Sequence, residues 1–121
     1  METKPLKKSI SIHKITAQDI LDVLDRWEKG QIELSDVLLF AEQLDEQGLP
    51  DYTKQDARSI LFMIIEALAT LHVQPILKSD IPALKRCLVL SMHSPLEAWE
   101  FIDAYWQGID WGKRVNDLYQ N

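Results

Sequence analysis

Residues 57–71 read Ala-Arg-Ser-Ile-Leu-Phe-Met-Ile-Ile-Glu-Ala-Leu-Ala-Thr-Leu, and eleven of these fifteen are apolar. The run Ile60–Ile65 is unbroken. An α-helix turns by about 100° per residue, so six consecutive apolar residues cover every face of it. A helix apolar all round is buried on several sides or lies in a membrane. A membrane span needs roughly 20 apolar residues, and Arg58 and Glu66 interrupt this segment. It therefore reads as a central core helix over about residues 54–72, and the rest of the chain as what packs around it.

The flanking sequence breaks into further helices of ordinary length. Ala17, Ile20, Leu21, Leu24 and Trp27 follow the 3–4 spacing of a buried stripe, which predicts a helix over about Ala17–Glu28. Thr16 with Asp19 supplies its N-terminal cap, Ile15 is set to staple onto Ile20, and Gly30 its stop. Asp22–Arg26 and Asp25–Lys29 are i,i+4 pairs on its outer face. A second helix over about Leu34–Glu46 carries Leu34, Val37, Leu38, Ala41 and Leu44 as its stripe and stops at Gly48. The link between the two is short enough to make them an antiparallel hairpin.

After the central helix, Pro75 marks a break. A fourth helix is expected from Ser79, with Asp80 in its first turn, Ile81, Leu84, Cys87 and Leu88 inward, and Lys85 and Arg86 outward. Ser94-Pro95-Leu96-Glu97 is the clearest local signal: a capping serine, a proline at the first helical position and a glutamate at the third. The helix it opens runs to Gln107, and Gly108 and Asp110 introduce a last short one carrying Trp111, Val115, Leu118 and Tyr119. No strand pairing and no repeat emerges. The expected fold is all-α, a single bundle of five to six helices over residues 16–121 behind a basic, extended lead-in over residues 1–15.

The chain has 121 residues, enough for one domain and short for two. Its apolar content of 46 % and charged content of 26 % are those of a globular protein. The net charge is −6, which argues against a nucleic-acid binder. Cys87 is the only cysteine, so no intrachain disulfide forms, and the N-terminal residues lack the apolar stretch of a secretory signal. The expectation is a cytoplasmic protein with no membrane segment.

Motifs for chemistry are sparse. His13, His72 and His93 lie far apart, and Cys87 falls on an apolar stripe, where cysteine is a small core residue. Asp19–Asp22–Asp25 and Glu97–Glu100–Asp103 place carboxylates at i,i+3 spacing and read as solvated faces. No catalytic residue, metal site or cofactor is expected. Trp27, Trp99 and Trp106 sit on stripes as core residues, whereas Phe40 and Phe101 fall just off theirs and are the better candidates for apolar contact with a partner.

Charge is unevenly spread. Residues 1–15 carry net +3, residues 16–56 net −8 and residues 57–121 net −1. The first hairpin therefore holds more than the whole negative excess, and such a surface attracts a basic partner and speeds its capture. Asp19, Asp22, Asp25, Asp36, Glu42, Asp45 and Glu46 are the expected partner-binding residues, with the aromatic segment Tyr105–Trp111 as the second choice.

Three stretches carry a resemblance: Trp27-Glu28-Lys29-Gly30-Gln31-Ile32 followed by Ala41-Glu42, then Ser79-Asp80-Ile81-Pro82, then Tyr105-Trp106-Gln107-Gly108-Ile109-Asp110-Trp111-Gly112-Lys113-Arg114. In these the chain resembles the small helical immunity proteins of bacterial contact-dependent growth-inhibition systems. That resemblance implies a role without catalysis: binding a cognate toxin domain, often a nuclease, in a 1:1 complex. A nuclease that grips phosphates is basic, which suits an acidic hairpin. The alternative is a helical regulatory or adaptor protein that binds another basic partner.

Overall fold

The computed structural model describes residues 10–50, 56–71 and 73–119. Most of the basic lead-in and the outermost residues of the expected 54–72 helix lie outside them, as do Asp51 and Thr53, either of which could cap that helix by sequence. Among the described residues the fold is all-α, with six α-helices: α1 (Ala17–Glu28), α2 (Leu34–Asp45), α3 (Ala57–Ala69), α4 (Ile81–Ser91), α5 (Pro95–Gln107) and α6 (Trp111–Tyr119). A 3-10 turn, Lys78–Asp80, leads into α4. No helix among the described residues is long and apolar enough to cross a membrane.

Local chemistry sets the helix ends. The Asp19 N–H donates to Thr16 Oγ1 (3.1 Å), and the Thr16 N–H donates back to Asp19 Oδ2 (3.0 Å), closing a reciprocal box. Gly30 follows α1 with φ 75°, a left-handed conformation that a side chain would strain. Asp56, immediately before α3, accepts the Arg58 N–H (2.8 Å) as its cap. Ser94 caps α5 ahead of Pro95, accepting the Glu97 N–H at 3.4 Å.

The middle of the bundle is shared. Ile60, Ile64, Ile65 and Leu68 of α3 are fully buried, and so are Ile81, Leu84, Cys87 and Leu88 of α4. α3 packs on α2, α4 and α5, and α4 packs on α1, α3 and α5. α3 thus shares the middle of the bundle with α4. Ile64→Asp in this interior would place a charge where no water or counter-ion reaches it.

One non-helical segment is also part of the core. Ile12 and Ile15 are 1 % and 0 % exposed. Gln47, just past α2, accepts the Ile12 N–H (2.8 Å) and donates to the Ile10 carbonyl (2.8 Å). Arg58 at the start of α3 donates to the carbonyls of Ile15 (2.8 Å) and Ile12 (3.0 Å), with its guanidinium over the Phe62 ring. Backbone groups that no helix could satisfy are thereby paired by two side chains.

The second helix departs from its expected stripe. Val37, Phe40, Ala41 and Leu44 face the core, while Leu34 is 46 % exposed and Leu38 only half-buried. Phe40, expected as a partner contact, is buried at 7 %. The run Leu38-Leu39-Phe40-Ala41 spans more than one face, and the larger ring takes the inner position. Leu39 is left 55 % exposed in its place.

Candidate functional site

The seven acidic residues expected to bind a partner fall into two groups in the structure. Those of α1 and of the first turn of α2 are engaged within the chain. Asp19 completes the box with Thr16. Asp36 does the same for α2, accepting the Glu33 N–H at 2.8 Å. Asp22 pairs with Arg26 (3.2 Å). Asp25 pairs with Lys29 (2.9 Å) and with Lys85 (3.1 Å), which reaches across from α4. The hydrogen bonds from Lys29 and then Lys85 hold the Asp25 carboxyl below the usual carboxylate range.

Lys85 also grips Glu28 at 2.6 Å. It was expected to point outward, but it is half-buried and ties α1 to α4, because α4 packs on α1 with this stem along the seam. The hydrogen bond to Glu28 is the largest influence raising its pKa. A lysine at position 25 would therefore meet Lys85 as a like charge.

The second group is Glu42, Asp45 and Glu46. All three are exposed at the C-terminal end of α2, and no hydrogen bond or ion pair joins their carboxylates to another described residue. The sequence explains this: no Lys or Arg occurs between Lys29 and Lys54, a stretch with six acids. The last turn of α2 has no basic residue. Acidic groups there face the negative end of the helix dipole, and Glu42 repels both neighbours at i+3 and i+4. These carboxylates thus weaken the helix that bears them. Leu39, one turn earlier, adds an exposed apolar side chain between Asp36 and Glu42. An apolar centre with a polar, solvent-accessible rim is the usual anatomy of a protein interface.

Neither a family model, a curated protein nor a solved structure matches the chain. Among the described residues no group of three or more His, Cys, Asp or Glu side chains is arranged to hold a metal ion. Cys87 is fully buried, with its thiol 3.7 Å from the Ala98 carbonyl. Burial, and then the negative charge of Asp103, push that thiol up to about 12, so it stays protonated and unreactive at neutral pH. His93 lies exposed in the turn after α4, away from any exposed thiol.

Among the described residues Asp80, 1 % exposed, is the centre of a cluster of four hydrogen bonds. Its Oδ2 accepts from Arg114 Nη1 (2.6 Å) and from the Leu77 N–H (2.7 Å), and its Oδ1 from Arg114 Nη2 (3.1 Å) and the Tyr105 hydroxyl. Arg114 also donates to the Pro75 carbonyl (3.0 Å). Burial pushes the Asp80 carboxyl up, but the donors of Arg114, Tyr105 and Leu77 outweigh it and hold the group below its ordinary value. Burial and the bond to Asp80 push Tyr105 up to about 12. No residue of α6 is fully buried; this cluster and the Trp111 ring against Trp106 tie that helix to the rest of the fold. The Asp80 cluster commits Tyr105, part of the second-choice aromatic segment, to the fold. Phe101, the other off-stripe ring, is half-buried beneath the Arg86 guanidinium.

Proposed function

We propose that this protein is an immunity protein that binds a cognate bacterial toxin domain, a basic nuclease, and neutralises it by occupancy and not by chemistry. The capture surface in this reading is the exposed outer face and C-terminal end of α2: Leu39, Glu42, Asp45 and Glu46. The observation that carries it is the set of carboxylates at the wrong end of α2. They lack basic partners among the described residues and oppose the dipole of their own helix. A surface kept acidic against the interest of the helix is explained by something outside the chain that uses it. The resemblance of three short stretches to immunity proteins of growth-inhibition systems points to the same role.

The acids of α1 contribute more weakly in this account. Asp22 and Asp25 already lie beside Arg26, Lys29 and Lys85, so their field is largely neutralised at close range. A phosphate-gripping site on the toxin would present lysines and arginines to α2, and charge complementarity would raise the association rate.

The test is a growth-rescue assay. The product of the gene adjacent to this one, which this reading expects to be toxic, is expressed under an inducible promoter, with or without this protein. Rescue by the wild type, and loss of rescue by a folded variant with Glu42, Asp45 and Glu46 changed to Lys, is the expected result. Absence of rescue by the wild type would overturn the immunity role.

A further inference from the structure

The outer face of α2 changes character along its length. Leu34, Leu38 and Asp45 fall on one row of the helix, at steps of four and seven residues, and Leu39, Glu42 and Glu46 on the next, at steps of three and four. In both rows the leucines occupy the first two turns and the carboxylates the C-terminal end. Leu34 and Leu39 are about half exposed, and Leu38 is half-buried. Ser35 and Gln43, the neutral polar residues beside these rows, are exposed as well. The core is already served by Val37, Phe40, Ala41 and Leu44 on the opposite side. Leu34 and Leu39 are thus surplus to the packing of the chain. They adjoin three carboxylates that make no hydrogen bond or ion pair with a described residue.

Whatever covers this face has to satisfy its own backbone. The last carbonyls of α2, from Glu42 to Asp45, already accept from Glu46, Gln47 and Gly48, and the turns before them are bonded within the helix. The face therefore offers side chains only and no ladder for an extended segment. A helix closes its own hydrogen bonds and packs its ridges into the grooves of another. A crossing angle of about 20° keeps two helices in contact over several turns, and the 12 residues of α2 span about 18 Å. On such a helix, apolar side chains would meet the leucines. Lys or Arg on the same face, one to two turns further along, would meet Glu42, Asp45 and Glu46. An acidic helix would be repelled, and a wholly apolar one would desolvate three carboxylates with no counter-charge.

We propose that the outer face of α2 receives one amphipathic helix of the protein partner, with apolar side chains on Leu34, Leu38 and Leu39 and basic ones on Glu42, Asp45 and Glu46. The inference rests on the reading that the partner is a basic protein, and it assigns the form of the docking segment and the order of its side chains. The two halves of the face have separate tasks. The leucines hold, because apolar burial slows dissociation at any salt concentration. The carboxylates steer, because exposed charge speeds association and is screened by salt.

The test uses the full chain and an alanine-based helical peptide of about five turns, long enough to be helical alone. Leucines lie on one face of its first half and lysines on the same face of its second half. The control has the same composition, with the lysines on the opposite face. Backbone amide signals of the 15N-labelled protein are followed by NMR, and affinity is read from the anisotropy of labelled peptide. The probe should shift the amides of α2 saturably and leave those of α6 in place, and the control should bind at least about tenfold more weakly. Leu34→Ser with Leu39→Ser should weaken the probe by at least about tenfold at every salt concentration and keep the wild-type salt dependence. Glu42→Gln, Asp45→Asn and Glu46→Gln together should weaken it by about tenfold at low salt and by less than about twofold at 1 M. All five positions are exposed, and circular dichroism with a thermal melt reports that each variant is folded. Shifts outside α2, equal binding of the control, or indifference to the serine variant would each overturn the proposal. So would α2 signals that move on dilution of the protein alone, which would give the face to a second copy. The two readings fail separately. If the probe binds in this pattern while the adjacent gene product does not associate, the helix-docking face stands and the toxin partner falls. If that product associates through the α2 carboxylates, but the serine variant leaves it unchanged and the probe does not bind, the helix assignment alone is wrong.

Discussion

Changing Asp45 and Glu46 to Lys should stabilise this protein while weakening its capture of a partner. Both positions lie at the end of α2, whose last turn has no basic residue. A carboxylate against the negative end of a helix costs about 0.3–1 kcal/mol, and an ammonium there returns a similar amount. Glu42 stands three and four residues before the two sites, so two repulsions become attractions worth about 0.2–0.5 kcal/mol each. All three side chains are exposed, which keeps each contribution near the low end of its range. The net expectation is a gain of about 1–2 kcal/mol, or a Tm rise of about 4–8 °C for a domain of this size. Urea unfolding at low salt and at 1 M salt measures it. The gain should shrink at high salt, as the Debye length falls from about 10 Å at 0.1 M to about 3 Å at 1 M. A variant less stable than wild type at low salt would refute the reasoning, since it would mean that these carboxylates hold bonds within the chain.

Asp80→Ala should cost about 3 kcal/mol, the low end for breaking a buried pair, because Arg114 keeps 19 % of its side chain exposed; denaturant unfolding is the measurement. The folded Asp80 carboxyl titrates below its ordinary 3.8, so its contribution is complete above that pH and lost as pH falls through the folded value; an Asp80→Asn variant should lack that part of the acid limb. Ile64→Asp should abolish the cooperative melt and the helical circular dichroism, at a cost of several kcal/mol, about the whole stability of a domain this size. Cys87 should resist alkylation at pH 8 in the native protein, at least about 1,000-fold slower than in urea; rapid native labelling would contradict its burial between α4 and α5.

How much of this was readable beforehand follows the range of the interactions. The ends of α1 and α5 depend on neighbours in sequence, such as Thr16 with Asp19 and Ser94 before Pro95, and these were legible. The inner face of α2 was not, because Leu38, Leu39, Phe40 and Ala41 offer two apolar faces and only packing against α3 chooses between them. The roles of Lys85 and Asp80 were hidden for a different reason. Lys85 meets Asp25 and Glu28 from 60 and 57 residues away, and Arg114 reaches Asp80 across 34. The acidic hairpin was visible as a total, but the total mixed neutralised acids on α1 with unpaired ones on α2. The stretch 30–53, free of Lys and Arg, was the signal that separates them.

The most direct test of the proposed role is the association rate with the protein encoded by the adjacent gene, measured by stopped flow from low to high salt. Three proteins are compared: wild type, Asp22→Lys on α1, and a variant with Glu42, Asp45 and Glu46 changed to Lys on α2. The account predicts a wild-type rate that falls as salt rises, a small effect at Asp22, and a large loss of both rate and salt dependence in the α2 variant. An α2 variant that associates as fast as wild type at every salt concentration would contradict it.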